Sequence, residues 1–253
     1  VTIIDILLSN LEADVAVREV VVGVYWTAVV LDTEPIRCGL ASVLRTRCTD
    51  AGGELPIGAG LSEYSAHELA GWLRSSSVLQ SSIGMAAYNA LLDVDASSCT
   101  ERNAEDLIVE HGSGRRVAIV GHFPFVEHVR EIAAETWVLE LDPLPGDLPA
   151  ERAADVLPHA DVVALTGTSL LNGTFDGLMG LIRDGTYVVV LGPSAPLSPL
   201  LFVAGADAVC GTLVTDVERV VTTVSQGAHF RQIKRAGGLS LLTLEKTRET
   251  NGR

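Results

Sequence analysis

Positive charge is what this chain has least of. Its 253 residues carry 18 Lys and Arg against 32 Asp and Glu, a net charge of −14. A nucleic-acid backbone is met by clustered cations. The pairs Arg115-Arg116 and Lys234-Arg235 are too short to form such a cluster, so no nucleic-acid partner is expected. Cysteine is also scarce. Cys38, Cys48, Cys99 and Cys210 make no C-x-x-C pair and no disulfide framework, which points to a reduced, cytoplasmic protein. No apolar run reaches the roughly 18 to 20 residues that span a bilayer. The stretch 17–31 is broken by Arg18, Glu19 and Gly23, so no membrane is expected as a partner. No signal peptide is legible at Val1, and the chain does not begin with Met. Aromatics amount to 5%, which leaves the core to Val, Leu, Ile and Ala. Several motifs are missing as well. There is no G-x-S-x-G for a Ser-His-Asp hydrolase and no complete G-x-G-x-x-G for a dinucleotide. No cluster of Cys, His and carboxylate has metal-ligand spacing.

What is present is a change of pattern across a small, flexible and charged seam, His111-Gly-Ser-Gly-Arg-Arg116. A domain boundary is expected there, with a first domain over 1–112, a second over 113–245 and a disordered tail over 246–253. The first reads as strands followed by helices, an α+β arrangement. A helix is expected over 3–11 and β runs over 17–24, 26–31 and 36–41, with a turn at Asp32-Thr-Glu-Pro35. A Gly-rich loop over 51–60 follows. Ser65 and Glu68 have capping-box spacing for a helix over 66–73, and a longer helix over 78–92 carries small residues that permit close packing. The second domain alternates. Strands are expected over 117–120, 137–141, 162–165, 187–191, 208–210 and 239–244, with helical segments over 124–134, 150–157, 169–183, 199–204 and 216–225. Apolar strands joined by crossover helices make a Rossmann-like, mostly parallel sheet of the α/β class.

Ligands of such sheets sit outside the carboxyl ends of the strands. Those ends carry the candidate site residues. The first strand stops at Gly121-His122-Phe123-Pro124, the second at Glu140-Leu141-Asp142-Pro143, the third at Thr166-Gly167-Thr168-Ser169 with Asn172, and the fourth at Gly192-Pro193-Ser194. Gly121 and Gly192 let backbone approach a ligand. The hydroxyls and the helix-start N–H groups suit an anion or carboxylate, although each Ser or Thr could equally be a helix cap. Asp142 lies 21 residues after Gly121, where a dinucleotide fold keeps its ribose acid. His122 could ligate a metal, shuttle a proton or bind an anion, or it could pack in its turn against Phe123 or Phe125. His122 and Asp142 are the candidate catalytic pair, and His122 the candidate metal ligand.

Three stretches resemble the DUF364 family, described as a heavy-metal chelation domain: Gly121-His122-Phe123-Pro124, the run from Ala160-Asp161-Val162 through Thr174, and Gly192-Pro193-Ser194-Ala-Pro-Leu197 with Phe202, Gly205-Ala-Asp207 and Gly211. The first half resembles that family's usual partner, DUF4213, through Gly23-Val-Tyr-Trp26-Thr27-Ala28-Val29, Cys38-Gly39-Leu40-Ala41 and the run from Ile83 to Leu91. The resemblance implies a domain like the enolase N-terminal fold ahead of the Rossmann-like one. It also implies a site between them that handles a metal or a metal-binding small molecule. The expected ligand is thus a small anionic or metal-chelating metabolite, with a divalent or heavy metal as the cofactor to test for. The alternative is an enzyme of metallophore-type biosynthesis working on the same cleft, with a nucleotide-type cofactor as one option. In the binding reading Trp26, Cys38-Gly39 and Asn89 would close the cleft from the first domain, although Asn89 could equally be a satisfied buried amide, and Glu34 would join His122 and Asp142 around the polar part of the ligand. Pairing of two chains into a homodimer is the default for this class.

Overall fold

A computed structural model describes residues 1–12, 14–44, 55 and 60–247. Most of the Gly-rich stretch 51–60, Cys48 and the tail beyond residue 247 lie outside the described residues.

Helix α1 (Ile3–Ser9) starts under a capping box made by Thr2 and Asp5. Strands β1 (Val17–Val22), β2 (Trp26–Leu31) and β3 (Cys38–Ser42) then pair antiparallel in chain order. Helix α2 (Ala66–Gly71) carries the capping box that the Ser65–Glu68 spacing predicts, and α3 (Val78–Leu91) begins on Ser77 as its cap. Every residue of β2 is buried because its alternating side chains meet two different covers. Val29 and Leu31 join the core on the α3 side, where Thr27 Oγ1 bonds Ser82 Oγ of α3 at 2.9 Å. Trp26, Ala28 and Val30 pack on the opposite side with Val220, Val224 and Ile233, residues from near the far end of the chain. Close approach of α3 depends on Gly39, where a Cβ would stand 2.1 Å from the Ala86 carbonyl oxygen.

The second half continues with α4 (Ala104–Gly112), β4 (Arg116–Val120), α5 (Val126–Ile132), β5 (Glu135–Glu140), β6 (Leu148–Pro149), α6 (Ala153–Val156), β7 (Val162–Thr166), α7 (Thr168–Leu171), α8 (Phe175–Met179), β8 (Tyr187–Leu191), α9 (Leu200–Val203), β9 (Ala208–Val214), α10 (Val217–Ser225), α11 (Phe230–Ala236) and β10 (Leu239–Glu245). The strands form one seven-stranded sheet in the order β10-β9-β8-β7-β4-β5-β6, parallel except for β10 against β9. Strand order reverses between β4 and β7, which makes their carboxyl ends the topological switch point. Alternation along β4 sends Val117 and Ile119 to a core with α4 and α5, and Ala118 to the large core shared with α6 to α9 and with α1 to α3. The molecule is therefore a large, mostly parallel sheet joined to a small antiparallel one.

Local differences from the sequence reading have physical causes. The helix expected over 169–183 is split by Asn172-Gly173, with Gly173 at φ 72° and the Asn172 side chain accepting from the Thr174 N–H and hydroxyl. Helix α4 was not foreseen, and it packs on the large sheet even though it precedes the seam at 111–116. Helices α10 and α11 cross back to cover the small sheet.

Asp161, just ahead of β7, ties the base of the large sheet together. Its carboxylate accepts from Arg116 Nε at 3.1 Å, Nη2 at 3.0 Å and backbone N–H at 3.1 Å, and Arg183 bonds the oxygen that Arg116 Nη2 bonds. The Arg116 bonds above all hold its pKa down at about 2, from an ordinary 3.8. A carboxyl depressed on folding stabilises above its unfolded pKa and loses that contribution as pH falls through the folded one. Unfolding by urea at stepped pH should accordingly show stability dropping between 3.8 and about 2, and the drop should flatten in Asp161→Asn.

Candidate functional site

The turn after β4 is built from Gly121. Its φ of 103° is open to glycine, and its N–H extends the parallel ladder to the Leu139 carbonyl at 2.9 Å. That geometry presents His122. The His122 N–H donates to Glu140 Oε1 at 2.8 Å, and the ring Nδ1 meets Asp147 Oδ2 at 2.9 Å. The Asp147 side chain is only 1% exposed, against 33% for His122. It also accepts from Arg130 Nη2 at 3.3 Å and from the Leu144 N–H at 3.2 Å. Arg130 bonds Glu127 in turn. The carboxylate at His122 is thus Asp147, not Asp142. Asp142 is exposed and lines neither of the cavities described below, because the chain folds back between β5 and β6 and brings Asp147 under the imidazole instead.

At the neighbouring strand ends, Thr166 and Thr168 share a hydroxyl–hydroxyl bond of 3.0 Å, and Ser169 Oγ donates to the Thr166 carbonyl at 2.7 Å. Gly167 is buried and continues the ladder by donating to the Leu191 carbonyl at 2.8 Å. Gly192 repeats the Gly121 solution at φ 110°. Ser194, after Pro193, uses its hydroxyl to accept the Ser42 N–H at 2.8 Å, which joins the end of β3 to the large sheet. Asn89 donates to the Leu40 carbonyl at 2.9 Å, so its amide fixes α3 to β3 and lines neither cavity. Glu34 is exposed in the β2–β3 turn, at the opposite end of those strands from Ser42 and the crevice. Cys38 and Gly39 are packed into β3 rather than open to a ligand.

Two cavities meet at the switch point and share His122, Phe123, Thr166 and Thr168. The smaller, about 320 Å³, lies over β4, β5 and β7 and reaches Gly121, Glu140, Ser169 and Asn172. The larger, about 1030 Å³, extends past Gly167 and the Gly192–Ser194 turn to Trp26 and Ser42 of the small sheet, and to α4 and α11. Its charged lining was not legible beforehand. Glu101 and Glu105 line it, Glu105 bonded to His128, and Arg102 is engaged by Glu110 and Glu245, whereas Arg231 and Lys234 of α11 form no ion pair among the described residues. Both stand exposed at the rim. Helix α11 was not legible because its seven residues carry two large apolar side chains, Phe230 and Ile233, and the small Ala236, too short a run for a periodic signal. Asp147 escaped because nothing local marks a partner 25 residues from His122.

The lining does not fit a metal held by protein donors alone. No group of three or more His, Cys, Asp or Glu among the described residues could hold an ion. His122 has given one ring nitrogen to Asp147. The thiol in the larger cavity, Cys210, is pushed by burial to about 11, and Cys38 to about 12, so neither is a ready thiolate.

Comparison with known proteins agrees with this architecture. Residues 103–243 match the family model DUF364 and residues 4–92 match DUF4213, each described as "Putative heavy-metal chelation". A crystal structure of a DUF364-family protein of unknown function from Desulfitobacterium hafniense superposes with a TM-score of 0.80 at 24% identity, covering 96% of this chain and 97% of that one. Another, from Pyrococcus horikoshii, gives 0.79 at 20% identity, covering 96% and 98%. An uncharacterized protein of Methanocaldococcus jannaschii, MJ0500, is 25% identical over 154 residues, and the match spans 58% of this chain and 60% of that protein. No helix among the described residues is long and apolar enough to cross a membrane.

Proposed function

The chain belongs to the DUF364 family and carries a DUF4213 region ahead of it, and from that premise we propose that its larger cavity binds a small anionic, metal-chelating metabolite. The metal enters as cargo of the organic ligand rather than as an ion caged by the protein. One observation carries this reading. In a chain of net charge −14, two cations that form no ion pair among the described residues, Arg231 and Lys234, line the rim of a cavity at the switch point, which Glu101 and Glu105 also line. Cations that are not tied up in ion pairs, beside low-dielectric walls, attract and hold an anion. The absence of a three-donor cluster among the described residues fits the same picture, because a chelator brings its own donors.

Titration calorimetry with citrate, ferric citrate and a free divalent metal salt tests it. Citrate or its ferric complex should bind, and Arg231→Ala with Lys234→Ala should weaken binding about tenfold or more, the equivalent of about 1.4 kcal/mol. Tight stoichiometric binding of the free ion, unaffected by that double change, would sink the proposal.

A further inference from the structure

We propose that His122 and Asp147 form a proton-transfer pair between two ligands, an uncharged hydroxyl-bearing molecule in the smaller cavity and the anion of the larger one. The anion rests on the reading given above; the pair and the hydroxyl ligand do not.

The Asp147 side chain is buried, accepts from Arg130 and from the Leu144 N–H, and lies 2.9 Å from Nδ1 of His122. A carboxylate can only accept, so Nδ1 of His122 is the nitrogen assigned the ring proton. In the neutral imidazole Nε2 is then a bare lone pair. Nε2 has no protein partner among the described residues and is not a buried, unpartnered atom. His122 lines both cavities, so the free nitrogen stands where they meet. A histidine serving only to fasten the turn would not need its second nitrogen open.

The smaller cavity has a different chemistry from the larger. Among the described residues Glu140 is its only lining Asp, Glu, Lys or Arg, so an anion is disfavoured there. Each Glu140 oxygen already takes one N–H, from His122 at 2.8 Å and from Leu141 at 3.0 Å, and keeps a lone pair for a ligand hydroxyl. Asn172 spends its oxygen on Thr174, and its amide N–H groups have no protein partner among the described residues. Acceptor and donor together suit a polyol such as a pentose. The step is a proton transfer. The ligand O–H bond breaks as its oxygen bonds to an acyl or phosphoryl centre of the anion, an Nε2–H bond forms, and Asp147 stabilises the imidazolium. The same proton then passes to the group displaced from that centre, whose bond breaks with its electron pair, and the neutral ring is restored.

Nitrogen-15 NMR of the wild-type protein, with His122→Asn to assign the signal, reads the tautomer directly. The account expects the Nδ1–H form to dominate at neutral His122. Acylation by diethyl pyrocarbonate, mapped by peptide mass spectrometry, should modify His122, whose Nε2 has no partner among the described residues. D-ribose should slow that modification in the wild type and equally in the Arg231→Ala, Lys234→Ala protein, whereas protection by citrate should disappear in the double variant. A dominant Nε2–H tautomer, or a His122 that resists acylation in the folded protein, overturns the proton-transfer pair. Failure of ribose to protect overturns the hydroxyl ligand. Loss of citrate protection from the wild type alone counts against the anionic reading and leaves the pair standing.

Discussion

Gly39→Ala is expected to destabilise the protein by about 3 kcal/mol or more, enough to cut soluble yield and to lower the urea midpoint markedly. Residues of β3 alternate between two helical covers, and Gly39 is the point at which α3 comes down onto the strand. An added Cβ would lie 2.1 Å from the Ala86 carbonyl oxygen, 2.3 Å from the Ala90 nitrogen and 2.8 Å from the Asn89 carbonyl carbon. All three are backbone atoms of a helix, so no rotamer change relieves the clash. The helix must lift, and with it go the Asn89–Leu40 bond and the Thr27–Ser82 bond. Helix α3 belongs to the core that both sheets share, so the loss should appear as one cooperative transition moved to lower urea rather than as an early local melt.

Gly167→Ala should have the second largest effect, and its signature differs. A Cβ there would meet the Ala195 nitrogen at 2.5 Å and its Cα at 2.8 Å. The turn after β7 and the turn after β8 are in contact at this point, and that contact forms one wall of the larger cavity. Forcing them apart costs about 1–3 kcal/mol and displaces Ser194, whose hydroxyl holds the Ser42 N–H. Citrate binding in the calorimeter should fall by more than the stability loss alone would produce, since the variant remains folded at 25 °C with its cavity misshapen. An alanine protein that binds citrate like the wild type would remove this wall from the site.

Much of the scaffold could be read from residue patterns because each feature has a local cause. Ser65 and Glu68 announce a helix start by spacing alone, and they form that capping box. Continuous apolar runs such as Val188-Val189-Val190 identify strands buried on both faces, and β8 is one. The small residues of Ile83–Leu91 signalled close packing, which Gly39 and α3 display. What stayed hidden depends on the chain folding back. Asp142 had the sequence spacing of a strand-end acid, yet the loop carries it outward and delivers Asp147 to His122. Asn89 and Ser194 carried polar groups suited to a ligand, and both spend a bond on joining structural elements. Arg231 and Lys234 sit on a helix of seven residues, too short to show a period, and their place at the cavity depends on α10 and α11 returning to the small sheet. Sequence patterns thus located the strand ends, whereas the charge that suggests an occupant came from long-range packing.

The most direct measurement of the central claim is native mass spectrometry with metal analysis on protein purified without a metal-affinity column, for the wild type and for Arg231→Ala with Lys234→Ala. The account predicts an added organic mass on the wild type, any metal present in fixed ratio to that mass, and both lost together in the double variant. A stoichiometric metal with no organic mass, retained when Arg231 and Lys234 are gone, would contradict it.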